Sequence, residues 1–215
     1  MGLTLAVRGS LCEAFIMSDG ISSMDITAVI LAGGKSSRMN GVDKTVLEIG
    51  GRPLIMRVMD VVDPMFGEVL VAGGGPGRFE DLEGVRVVQD SVEGFGPLAG
   101  IRAGFQAAQT EWIFVVAADM PLIDHKLVAA VIDGVGPDVS AVVPCLDDKY
   151  EPLHAAYRRD LVPRIDELIA GNVRKVTRLL DEVSVRWVPI DPVNHKCFKN
   201  INRPEDVSAV KKLIC

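Results

Sequence analysis

Cysteine and histidine are scarce in this chain of 215 residues, and the few present stand apart. Cys12, Cys145, Cys197 and Cys215 form no CxxC pair, and His125, His154 and His195 show no metal-ligand spacing. A dithiol redox motif and a clustered zinc site therefore have no residues to form them, and the simplest reading is a reduced, cytoplasmic protein. No apolar stretch approaches the ~18 to 20 residues that cross a bilayer, so no membrane span is expected. A basic block is missing too. The net charge of −6 is spread along the sequence, which argues against a general binder of nucleic acid or membrane surfaces. Any polyanion this protein holds is bound locally.

Nothing at this length and 48% hydrophobic content forces a second domain, and residues 25–215 are expected to form one. In residues 1–24 the apolar content is broken by Arg8, Glu13 and Asp19, with no continuous h-region. That segment reads as an N-terminal extension, or as a start placed upstream of Met17 or Met24, rather than as a signal peptide.

Two familiar phosphate loops are also missing. A Walker loop needs Gly five residues before its Gly-Lys-Ser, and the position before Gly34-Lys35-Ser36 is Val29; no Gly-x-Gly-x-x-Gly fingerprint occurs. What stands there instead is Leu31-Ala-Gly-Gly-Lys-Ser-Ser-Arg-Met-Asn-Gly-Val-Asp-Lys44, directly after the unbroken apolar run 26–31. Such a run reads as a parallel strand buried on both faces. Its loop is suited to phosphate: Gly33 and Gly34 let backbone N–H groups approach an anion, and Arg38 and Lys44 supply charge.

Beyond the loop, helix and strand patterns alternate. Residues 53–62 read as a helix opened by proline, 68–72 and 85–89 as strands, and 97–109 as a helix. An apolar strand over 112–118, a helix from Asp124, strands over 139–144 and 153–157, and helices over 161–170 and 173–180 complete the pattern. Repeated βα units with all-apolar strands predict a three-layer α/β/α architecture around a mostly parallel sheet, in which ligands sit at the carboxyl ends of the strands. Gly33 and Asp119 both fall there. Asp119 ends its strand as a carboxylate at that edge and suits Mg²⁺, which binds through one or two carboxylates plus substrate phosphates. The competing role, capping the next helix, falls more naturally to Asp124. The run Gly73-Gly74-Gly75 is at least as readily a turn as a functional loop. His154 sits in an apolar strand, where a satisfied core residue competes with a ligand contact.

The spacing Leu-Ala-Gly-Gly-x-Ser-x-Arg-Met-x-Gly-x-Asp-Lys resembles the sugar-nucleotide-type nucleotidyltransferases and, within them, the molybdenum cofactor guanylyltransferases. The resemblance runs over residues 27 to about 211. It continues in Asp90-Ser91 before Gly94-Phe-Gly-Pro-Leu-Ala-Gly100, in Glu151-Pro-Leu-His154, and in Asn200-Ile-Asn202-Arg-Pro-Glu-Asp206. It implies a Rossmann-like nucleotidyltransferase fold that transfers GMP from GTP to molybdopterin carrying molybdenum. It further implies contacts to the nucleotide from Leu31, Ala32, Gly33, Gly34, Lys44, Asp90 and Asp119. Lys44 and Arg38 would act on the phosphates, Asp119 and Asn202 would hold Mg²⁺, and Asn200, Glu151 and His154 would lie on the acceptor side. His195 and Lys196 occupy a loop able to meet an anionic acceptor. Transient contact with proteins that mature molybdoenzymes belongs to the same expectation. Two positions depart from the family: Ala72 stands where Asn is common, and Asn40 where the first Gly after Arg-Met is usual. The first leaves guanine selectivity open. A CTP-dependent sibling enzyme and a non-catalytic nucleotide-binding module are the competing readings.

Overall fold

A computed structural model describes residues 21–33, 47–73, 77, 79, 86–90, 92, 94–147, 149–191, 196–201, 206–208 and 210–211. The expectations for Lys44, Arg38, Gly34, Asn202, His195 and residues 1–20 of the N-terminal extension lie outside them. The first strand, β1 (Ile26–Leu31), is buried along its whole length, and its neighbours explain why. The antiparallel pair β2 (Glu48–Ile49) and β3 (Arg52–Pro53) leads into α1 (Leu54–Val62), followed by β4 (Glu68–Ala72) and β5 (Arg86–Val88). Then come α2 (Pro97–Ala107), β6 (Trp112–Ala117), α3 (His125–Ile132), β7 (Ala141–Leu146), β8 (Lys149–Tyr150), β9 (His154–Arg158), α4 (Val162–Ala170) and β10 (Val185–Pro189).

The main sheet runs β10-β7-β9-β6-β1-β4-β5, with β8 paired to β7. Its strands are parallel except β9, antiparallel to both β6 and β7, and β8, antiparallel to β7. Successive strand residues face opposite sides. Ile26, Ala28 and Ile30 join α1 and α3 in one core layer, whereas Val29 and Leu31 join α2 and α4 in the other. A strand covered on both faces has no position for a charged side chain, which accounts for the continuous apolar runs.

The two-residue strands β2 and β3 were not signalled by the sequence pattern, and neither was β10. In β10, Arg186 and Trp187 are exposed and Pro189 interrupts the run, all tolerable where one side of a strand is unpaired. The helix expected over 173–180 is a single 3₁₀ turn, Val176–Leu179. Asn172 turns left-handed at φ 56°, and the turn only has to bury Val176 and Leu179, which one tight turn achieves.

Candidate active site

The chain goes from β1 outward through β4 to β5, then crosses back to place β6 on the other side of β1. The strand order reverses between β1 and β6, where open α/β sheets carry a ligand crevice at the carboxyl ends. Four strand ends are aligned there by backbone hydrogen bonds. Ala118 N–H donates to the Leu31 carbonyl at 3.0 Å, Ala32 N–H to Ala72 at 2.8 Å, and Gly73 N–H to Val88 at 3.1 Å. Gly73 is thereby the first residue past its strand, and Gly33, Asp90 and Asp119 are each the second past theirs.

Gly33 and Gly73 touch backbone to backbone. A Cβ on Gly73 would stand 2.5 Å from both Cα and N of Gly33, and Gly73 has φ +89°. Neither space nor conformation admits another residue. A Cβ on Gly33 would lie 3.2 Å from Asp90 Oδ2, and one on Gly100, in α2, would lie 3.7 Å from Asp90 Oδ1 and 2.7 Å from Leu31 Cδ2. Gly33 and Gly100 thus flank one carboxylate, and Gly73 packs behind Gly33. Asp90 is half-buried, its Oδ1 has no hydrogen-bond partner among the described residues, and burial raises its carboxyl above the usual carboxylate range. An oxygen kept from water without a donor costs stability, so this cradle is arranged for a ligand that brings N–H groups.

Asp119 stands partly exposed past β6, and Asp124 caps α3 by accepting from Leu127 N–H at 2.9 Å. The helix start therefore makes no claim on Asp119. The Asp119 carbonyl accepts from Ile201 N–H at 3.0 Å, which ties the C-terminal segment to the end of β6 and brings Asn200 there. Asn200 Oδ1 is buried with no partner among the described residues. Among the described residues no group of three or more His, Cys, Asp or Glu is placed to hold a metal ion. One carboxylate and one amide oxygen at a strand end nevertheless fit Mg²⁺, which fills its octahedron with water and phosphate oxygens.

Of the residues expected on the acceptor side, Glu151 is half-buried between β8 and β9, where burial raises its carboxyl above the usual range. His154 is fully enclosed. Its ring stands edge-on to Phe114 at 5.2 Å and to Phe198 at 5.7 Å between centroids, and burial lowers its pKa to about 3. These are the surroundings of a neutral core side chain. Two residues of the site were only partly legible: the run from Gly73 reads as a turn as readily as a functional loop, and Gly100 is one of several small residues in the segment 94–100 that carries the resemblance.

Residues 28–186 match the family model described as the MobA-like NTP transferase domain. Among curated proteins, a molybdenum cofactor guanylyltransferase of Vibrio cholerae is 31% identical over 186 residues, covering 86% of this chain and 90% of that protein. One of Yersinia pseudotuberculosis is 33% identical over 184 residues, covering 85% and 93%. The crystal structure of molybdopterin-guanine dinucleotide biosynthesis protein A from Archaeoglobus fulgidus superposes with a TM-score of 0.75 at 24% identity, covering 88% of this chain and 98% of that one.

Proposed function

The chain belongs to the MobA-like NTP transferase domain family, and on that premise we propose that it transfers GMP from GTP to the terminal phosphate of molybdopterin carrying molybdenum. The products are pyrophosphate and the guanine dinucleotide form of the cofactor. The observation that carries the reading is the buried Oδ1 of Asp90, without a partner among the described residues, held between Gly33 and Gly100 on the same sheet edge as Asp119. Guanine presents its ring N–H and exocyclic amine side by side, and a carboxylate accepts from both. Cytosine offers one amine N–H there but turns the lone pair of its ring N3 toward the other oxygen. Asp90 thus supports guanine even though Ala72 has no side-chain hydrogen bond to offer.

The acceptor phosphate is ionised at neutral pH and needs no general base. Its oxygen attacks the α-phosphorus of GTP, the bond from that phosphorus to the β-phosphate oxygen breaks, and pyrophosphate departs with the electron pair. The protein's task is positioning and charge neutralisation. In this reading the Gly33 and Gly34 amides and Arg38 would hold the departing phosphates and Lys44 the α-phosphate. Asp119 and Asn202 would hold Mg²⁺, which would supply charge neutralisation to the phosphates. Glu151 lies toward the acceptor, and proteins that mature molybdoenzymes would receive the product.

Pyrophosphate release with Mg²⁺, each nucleoside triphosphate and molybdenum-loaded molybdopterin tests this. GTP is expected to be used in large preference to CTP, because a site built to pair with one base leaves buried groups unpaired with another. Preferred use of CTP would move the protein to the cytidylyltransferases. Nucleotide binding with no pyrophosphate release would make it a binding module.

A further inference from the structure

Tyr150 and Trp187 are, at 39% and 46%, the most exposed large hydrophobic side chains among the described residues, and they are in contact. Their ring centroids lie 5.3 Å apart at an interplanar angle of 58°. Aromatic rings left in water at one spot, when a nearby core could cover them, mark a binding surface. The sheet register shows where that spot is. Val142 of β7 and Phe114 of β6 both flank Ala156 of β9, so Cys145, three residues on, is level with Ala117 at the end of β6. Tyr150 pairs with Cys145. Because β10 occupies the other side of β7 from Ala141 to Cys145, β8 lies on the β9 side, toward β6. Strand spacing and rise then put Tyr150 on the order of 10 Å from Asp119.

The face is also determined. Val143 belongs to the α2 and α4 core layer, and Cys145, two residues on, points the same way. Trp187 pairs with Val143 and Tyr150 with Cys145, so the two rings stand on that face, over Cys145. The Asp90 cradle involves Gly100 of α2 and Leu31 of the same layer, which puts it on the same face, on the other side of Asp119. The pair and the cradle thus flank the reaction centre along one face of one sheet edge.

We propose that Tyr150 and Trp187 form the platform on which the fused pterin ring of the acceptor stacks, with its phosphate reaching toward Asp119. This rests on the functional reading above. A planar heteroaromatic ring carrying its phosphate on a short arm matches both the chemistry of the platform and its distance from the metal carboxylate, and stacking needs no matching pattern of donors and acceptors.

The test uses 6-hydroxymethylpterin phosphate as probe and tryptophan emission as readout, since Trp112 is buried and Trp187 exposed. Titration should quench the wild-type protein more than Trp187→Phe, which retains only Trp112 and serves as the inner-filter reference. Tyr150→Ala should bind the probe about 10-fold more weakly, the scale of one lost base-type stacking contact. In the transfer assay, Trp187→Ala should raise the acceptor KM about 10-fold with the GTP KM unchanged, and Trp187→Phe should restore it. Wild-type emission that changes no more than the reference, or an acceptor KM unmoved by Trp187→Ala, overturns the platform. Pterin quenching in a protein that fails to use GTP would uphold the platform and refute the guanylyl-transfer reading instead.

Discussion

The two ends of the sheet treat polar groups in opposite ways. At the amino end Thr27, Ser140, Arg158 and Arg159 all have partners. Thr27 Oγ1 donates to Glu68 at 3.0 Å and meets Thr110 Oγ1 at 2.9 Å. Arg159 reaches the carbonyls of Phe105, Ala108 and Thr110 at 2.6 to 3.1 Å. Ser140 Oγ donates to Asp160 at 2.9 Å, and Arg158 binds the same carboxylate and the Pro137 carbonyl. At the carboxyl end, Asp90 Oδ1, Asn200 Oδ1 and both ring nitrogens of His154 are buried without partners among the described residues. A chain able to saturate one end with hydrogen bonds but leaving acceptors bare at the other is bearing a folding cost where a ligand can offset it.

Four substitutions break or sharpen that contrast. Asp119→Asn should cost at least about 10²-fold in pyrophosphate release, the scale of one lost preorganised charge contact, while thermal unfolding hardly moves. A large drop in Tm with normal turnover would give Asp119 the character of the amino end. Arg159→Ala should do the reverse. It strands three carbonyls and removes a guanidinium lying 5.6 Å from the Phe105 ring centroid, so urea unfolding should show a loss of about 3 kcal/mol, with both KM values unchanged where the protein is folded.

Asp90→Asn separates folding from binding in one residue. Burial raises the carboxyl pKa, so the folded state keeps a proton to higher pH than the unfolded chain. Ionisation therefore costs stability as pH rises above the usual carboxylate range. The amide escapes that cost. The unliganded variant should melt slightly higher at neutral pH yet bind GTP about 10-fold more weakly and discriminate less against CTP, as calorimetry can measure. A variant that melts lower and binds GTP normally would make Asp90 structural.

The smallest effect is expected at His154, whose folded pKa of about 3 lies below the ordinary 6.5. The unfolded chain takes up the proton first, so this residue's stability contribution is complete above about pH 6.5 and fades as pH falls toward 3. His154→Leu should lose less stability between pH 7 and pH 5 than the wild type does in urea titrations. Equal losses would mean that the ring is solvated.

What was legible in the sequence follows from how local its cause is. The all-apolar runs of β1 and β6 reveal a sheet covered on both faces because each residue of the run is affected directly. Asp124 reads as a cap from its place ahead of Leu127. The meeting of Gly33 with Gly73 is different, since it depends on the parallel pairing of β1 with β4 and on no short-range pattern. The bare oxygen of Asp90 depends in turn on Gly100, brought alongside by α2. For β10 the obstacle is exposure: a strand with Arg186 and Trp187 in water lacks the apolar run that marks its neighbours.

The bond from Ile201 N–H to the Asp119 carbonyl has a temporal meaning. On the ribosome, β1 to β6 emerge first, and the strand ends around Gly33, Gly73 and Asp90 can assemble while synthesis continues. Asn200 arrives about eighty residues after Asp119, roughly four to sixteen seconds later at ordinary elongation speeds. A nascent chain can therefore assemble the strand ends around Gly33, Gly73 and Asp90 well before the segment that joins Asp119 has been made.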